Sequence, residues 1–234
     1  VPYNVEVVYR WNQGDVSSDD MRKNLVPPRE SQVEPFLEMI EKVWVDTYTA
    51  EVGQQTLRSY IPKQILLVGS ASYNDDGSTT EGTAEGGRQI VLYSVNDFNF
   101  TLEQIQSYAH VMHHEFAHIL HQNVEYDAEF EKITPSYSSS WMQMNDETAR
   151  TKGFITAYAS SSADEDFAEM VSIMLTNSPE DWDNMIESAG NATAVEALRK
   201  KEAIVVAYMK NNWGVDMKDF QKEVVAAIEA AVRN

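Results

Sequence analysis

Apolar positions follow a period of two along parts of the first half of this chain, and a period near 3.6 through most of the second. From Tyr3 to Trp11, Val5, Val7 and Tyr9 alternate with more polar neighbours, which predicts a half-buried strand. The polar stretch from Asn12 to Asp20 reads as a solvated turn, because its acidic residues have no calcium-loop spacing. Ser31-x-x-Glu34 has the form of a capping box and predicts a helix with Phe36, Leu37, Ile40, Val43 and Trp44 on one side. Gln64 to Val68 predicts a buried strand. Residues 73–87, rich in Gly, Ser, Thr and acids, predict a flexible loop or hairpin, and Arg88 to Val95 another strand.

Thr101-x-x-Gln104 repeats the capping-box pattern and opens the most strongly patterned helix. Leu102, Ile105, Ala109, Met112, Phe116 and Ile119 form its apolar stripe, and His110, His114, His118 and His121 lie roughly opposite. One side therefore suits a core and the other faces something polar, as an active-site helix under a cleft requires. Strand signals fade after about Gln122. A Ser- and Tyr-rich loop through residues 134–141 could line that cleft, and helices are predicted at 164–177, 179–188, 192–211 and 216–232. The fold class is α+β in a single domain: a mixed α/β lobe over 1–122 that includes the histidine helix, then an all-helical lobe over 123–234.

Composition narrows the chemistry. The formal charge of -19 makes nucleic acid or an anionic membrane surface an unsuitable partner. With no cysteine, thiolate nucleophiles, disulfides and Cys-type zinc sites are excluded, so any metal must be held by His, Asp, Glu or Tyr. No run approaches the length of a membrane span, and the start of the chain has no signal-peptide pattern. A targeting segment, with a lipid anchor, could have been removed upstream.

All five histidines fall between positions 110 and 121. His114, Glu115 and His118 make H-E-x-x-H. On a helix, residues four apart stack on one face, so two imidazoles can close on one zinc ion while the intervening Glu reaches a metal-bound water. His121 is an unsuitable ligand, since His114 and His121 stand about 10 Å apart along a straight helix. His110 and His113 read as groups behind the ligands or at the surface. A third protein ligand is needed, and the acids of Asp164-Glu-Asp-Phe-Ala-Glu169 are the candidates.

Two runs carry a resemblance: His-His-Glu-Phe-Ala-His-Ile-Leu-His-Gln at 113–122, and Tyr-Ala-Ser-Ser-Ser at 158–162 followed by Glu-Asp-Phe-Ala-Glu at 165–169. They are similar to a group of zinc metallopeptidase lipoproteins from Bacteroidetes. More broadly they resemble the glutamate-type zincins, the thermolysin-like and lethal-factor-like peptidases. That resemblance implies a zincin-like fold and makes Glu165 the third zinc ligand. It also implies that Glu169, one turn on, hydrogen-bonds a zinc-bound imidazole, and that Tyr158 is a catalytic tyrosine for the oxyanion. Other readings of the residues stay open. Ser162-x-x-Glu165 also fits a capping box, Asp164 or Asp166 could ligate instead, and Tyr158 fits a buried core position.

The activity expected is that of a zinc metalloendopeptidase with one ion, hydrolysing peptides through a zinc-activated water with Glu115 as general base. The strand at 89–95 could pair with an extended substrate. The protein would be an extracytoplasmic monomer acting on peptides or proteins. The alternative is a non-catalytic zinc-binding surface protein that retains a peptidase fold.

Overall fold

Strand β1 (Glu6–Val8) pairs in parallel with β2 (Gln64–Leu67), and β2 in parallel with β6 (Gln89–Leu92). Parallel strands buried on both faces read as unbroken apolar runs. Accordingly Ile65, Leu66 and Leu67, and Ile90, Val91 and Leu92 on the next strand, are all buried. Strand β5 (Gly82–Glu85) closes one side of this sheet as an antiparallel edge, and the order is β1-β2-β6-β5. A short hairpin of β3 (Ser72–Tyr73) and β4 (Thr79–Thr80) stands apart. The computed structural model describes residues 3–12, 14, 16, 23–74, 79–80, 82–85 and 89–233. Most of the polar turn expected at 12–20 lies outside them, as do 75–78, 81 and 86–88 of the expected loop.

The described chain divides into two compact units, Val1–Phe116 with Ala227–Asn234, and Ala117–Ala226. In the first, α1 (Glu30–Ile40) and the N-terminal part of α4 (Leu102–Asn123) meet through aromatic side chains. Phe36 meets Phe98 and Tyr108 edge-on, at 5.1 and 4.9 Å between ring centres. The Tyr108 hydroxyl donates to Tyr93 O over 2.6 Å, which ties α4 to the end of β6.

The expected box at Ser31 is not the start of α1. Pro27 and Pro28 hold the chain extended, the helix begins at Glu30, and Arg29 precedes it with its N–H donated to Asn96 Oδ1 over 2.7 Å. A partner 67 residues away thus replaces the local cap. Beyond α1 the helix widens to π geometry over Glu41–Asp46 before α2 (Thr47–Val52) and α3 (Gln54–Tyr60). The widened turn leaves carbonyls without their usual partners, and the Thr47 hydroxyl donates to Val43 O and Trp44 O at 3.2 and 2.9 Å. Trp44 and Tyr48 then pack edge-on against Phe116.

Two differences concern the sheet. In the stretch expected as a loop or hairpin, 73–87, Tyr73 and Thr79 do pair in the β3–β4 hairpin but Gly82–Glu85 is strand β5 of the larger sheet, and the strand expected at 88–95 is an interior strand, paired on both sides. At Gly82 a Cβ would lie 2.3 Å from Val111 Cγ1, so β5 runs directly against α4 and only glycine allows that approach.

The second unit is helical: α5 (Glu129–Ile133), α6 (Asp146–Thr151), α7 (Ala163–Thr176), α8 (Pro179–Glu187), α9 (Ala192–Tyr208) and most of α10 (Met217–Ala231). Ser162, Ser178 and Asn191 cap α7, α8 and α9 with side-chain oxygens. The short helices α5 and α6 lie on either side of the expected 134–141 loop, where no element was predicted. Phe167, Val171 and Leu175 of α7 are fully buried with Leu198 of α9 and Phe220 of α10. Among the described residues no helix is long and apolar enough to cross a membrane.

Candidate metal centre

Helix α4 starts as its sequence predicts, with Gln104 N donating to Thr101 Oγ1 over 3.3 Å. The return arm differs: Gln104 Oε1 accepts from Asn99 N over 2.7 Å. The stripe from Ile105 through Ala109, Met112 and Phe116 to Ile119 is buried, while Leu102 at the open end is exposed. His110, Glu115 and His118 are half-buried, and His114 and His121 buried.

His113 departs from its expected place. It is fully buried, 5.4 Å from the Tyr48 ring centre to centre. Burial pushes its pKa down to about 3, against a smaller opposing effect of the Val43 backbone. It is therefore a neutral core histidine, not a surface group. The cause is the π turn beneath α4, which fills the space on that side with Val43, Trp44 and Tyr48.

Helix α7 resolves the three acids. Ser162 does cap it, accepting from Glu165 N over 3.3 Å, but the Glu165 carboxylate points away to His118, with Oε2 3.1 Å from Nε2. Asp164 lies at the surface and accepts from the Tyr126 hydroxyl over 2.7 Å. Asp166 turns inward, fully buried, and accepts from Lys201 Nζ at 2.5 Å and from the Tyr137 hydroxyl at 3.0 Å. Burial raises the Asp166 pKa to about 6, and Lys201 and Tyr137 act against that rise. Glu165 alone of the three faces a histidine of the H-E-x-x-H motif.

One turn further, Glu169 is buried and accepts from the Thr156 hydroxyl over 2.7 Å. Thr156 Oγ1 also accepts from Ala159 N at 3.1 Å, fixing the 3-10 turn Tyr158–Ser160. Tyr158 is 37% exposed, with its ring edge-on to Trp141 at 4.8 Å, so it is not a core tyrosine.

Because α4 is unbroken from Leu102 to Asn123, His114 stands one turn before His118 on the same helix. Ligand atoms of His114, His118 and Glu165 lie within 4.8 Å of one another, as do those of His110, His114 and Glu169. A tetrahedral ion with bonds near 2 Å sets its ligands about 3.3 Å apart. The 3.1 Å between His118 and Glu165 is of that size, and two imidazoles with one carboxylate are donors that zinc takes. The residues present fit the ion.

Two contributors escaped the sequence reading. Thr156 has no spacing signal of its own. His121 was visible at three residues past His118, but only as a ligand to be rejected; its ring instead meets the far nitrogen of His118, with Nε2 3.0 Å from Nδ1.

Residues 1–218 match a protein family described as "Putative zinc-binding metallo-peptidase". No curated protein matches the chain. A crystal structure of a "putative zinc-binding metallo-peptidase" from Bacteroides caccae is 34% identical, with a TM-score of 0.83 over 98% of this chain and 88% of that one. The α+β architecture is thus that of a zincin-like neighbour, and the chain belongs to this family of zinc-binding metallopeptidases.

Proposed function

We propose that the protein is a zinc-dependent endopeptidase that holds one ion with His114, His118 and Glu165. The observation that carries this reading is the approach of Glu165 to His118 at 3.1 Å, from a helix whose other two acids turn elsewhere. Zinc bound by these residues would act as a Lewis acid and lower the pKa of a coordinated water toward neutrality.

The chain's own groups do the rest. Glu115 follows His114 on α4 and is only half-buried, so its carboxylate can take a proton from the attacking water and deliver it to the leaving amine. Glu169, held by Thr156, orients the imidazole of His114. Tyr158, exposed beside Trp141, donates its phenol hydrogen to the developing oxyanion. An extended peptide would pair with the edge strand β5, since β6 already has neighbours on both sides. The resemblance to lipoproteins supports an extracytoplasmic location.

Incubation with a mixed peptide library, comparing wild type with Glu115→Gln, tests this reading. The expected result is internal cleavage by the wild type, and loss of cleavage with zinc still at about one ion per chain in the variant. Equal zinc in both and no cleavage by either would favour the non-catalytic binding protein. No zinc in the wild type would overturn the metal reading.

A further inference from the structure

The geometry points to His121 as the positioning residue for the second histidine of the motif: its Nε2 accepts the Nδ1 hydrogen of His118 and so fixes the ring with Nε2 toward the metal. This inference rests on the zinc reading above.

His118 has both ring nitrogens engaged. Nε2 faces Glu165 Oε2 at 3.1 Å and Nδ1 faces His121 Nε2 at 3.0 Å. A neutral imidazole carries one N–H and one lone pair. The nitrogen facing Glu165 must offer its lone pair to an ion held there, so the hydrogen sits on Nδ1 and needs an acceptor. His121 Nε2 is that acceptor, and this requires His121 to carry its own hydrogen on Nδ1. Metal-ligating histidines usually give their second N–H to a carboxylate, a backbone carbonyl or water. Here a second imidazole takes that role.

The surroundings of His121 suit a fixed acceptor. It is buried, with its ring edge 5.5 Å from Tyr126 and 5.9 Å from Phe167 between centres. Tyr126 and Phe167 stack on each other at 4.4 Å, and the Tyr126 hydroxyl is bonded to Asp164. Phe167 lies two residues after Glu165 on α7. One side of the wall that holds His121, Phe167, therefore comes from the helix that would supply the third ligand.

The test compares wild type, His121→Gln and His121→Leu, using zinc affinity by competition with a chromogenic chelator. A long-range 15N–1H correlation on the zinc-loaded proteins reports which His118 nitrogen carries hydrogen. The expected outcome is His118 in the Nδ1–H form in the wild type, a mixed population in His121→Leu, and roughly a ten- to hundredfold loss of zinc affinity in that variant. His121→Gln, which keeps an acceptor oxygen, should recover most of the affinity. Unchanged affinity and tautomer in His121→Leu would overturn the inference and leave the zinc reading intact. Equal loss in both variants, with a matching fall in Tm, would also overturn it and make His121 a packing residue. A wild type that binds no zinc would remove the reading beneath both.

Discussion

Lys201 and Asp166 form an ion pair at 2.5 Å with both side chains at 0% exposure. The ammonium also donates to Gly153 O over 2.8 Å and lies 4.3 Å from the centre of the Phe154 ring. The pair joins α9 to the first turn of α7, immediately beside Glu165. Removing one partner strands a buried charge, so Lys201→Met should cost about 3–5 kcal/mol in denaturant unfolding. The double variant Lys201→Met with Asp166→Leu should regain most of that loss. A Lys201→Met protein as stable as wild type would contradict the burial of the pair.

Gly82 permits β5 to lie against α4. Gly82→Ala should destabilise by about 1–3 kcal/mol through overpacking against Val111, a branched side chain with little freedom to move. Adding Val111→Ala should restore much of the stability, and the coupling is read from a double-mutant cycle of urea midpoints.

Thr156 is the donor that satisfies one oxygen of the buried Glu169. Thr156→Val keeps the shape and removes the donor, which should cost about 1–3 kcal/mol. On the proposal that Glu169 orients His114, it should also weaken zinc binding about tenfold by loosening that carboxylate. Thr156→Ser should behave nearly as wild type, which separates hydrogen bonding from packing.

Tyr208 donates its hydroxyl to Val124 O over 2.8 Å, and burial pushes its pKa up to about 12 from an ordinary value of 10.0. The folded state thus holds the phenol hydrogen after the unfolded state has lost it. The stability from this group is fully present below pH 10 and is lost as pH rises through 12. Urea midpoints measured between pH 9 and 11.5, a range of roughly these values, should fall more steeply for wild type than for Tyr208→Phe.

What the sequence made legible was local. The stripe on α4, the runs in β2 and β6, and the Ser162 cap depend on nearby residues, and all are seen in the structure. The capping reading of Ser162-x-x-Glu165 was half correct: the serine caps, while the glutamate answers His118, 47 positions earlier. Ser31 failed for a similar reason, since Asn96 meets the start of α1 across 67 residues. His113 and His114 are chemically identical neighbours, and only the packing of Tyr48 and the π turn makes the first a core residue. Strand β5 was hidden because its apolar content is low and its position depends on a glycine facing Val111.

The first compact unit is not contiguous in the chain, for residues Ala227–Asn234 belong with Val1–Phe116. Arg233 makes the attachment visible, with its guanidinium 4.3 Å from the Phe100 ring centre and 3.1 Å from Glu38 Oε2. During synthesis the sheet and the start of α4 leave the ribosome early, yet their unit waits for these late residues. The unit Ala117–Ala226, uninterrupted in sequence, has all of its residues available sooner. The N-terminal half is thus made first and completed last.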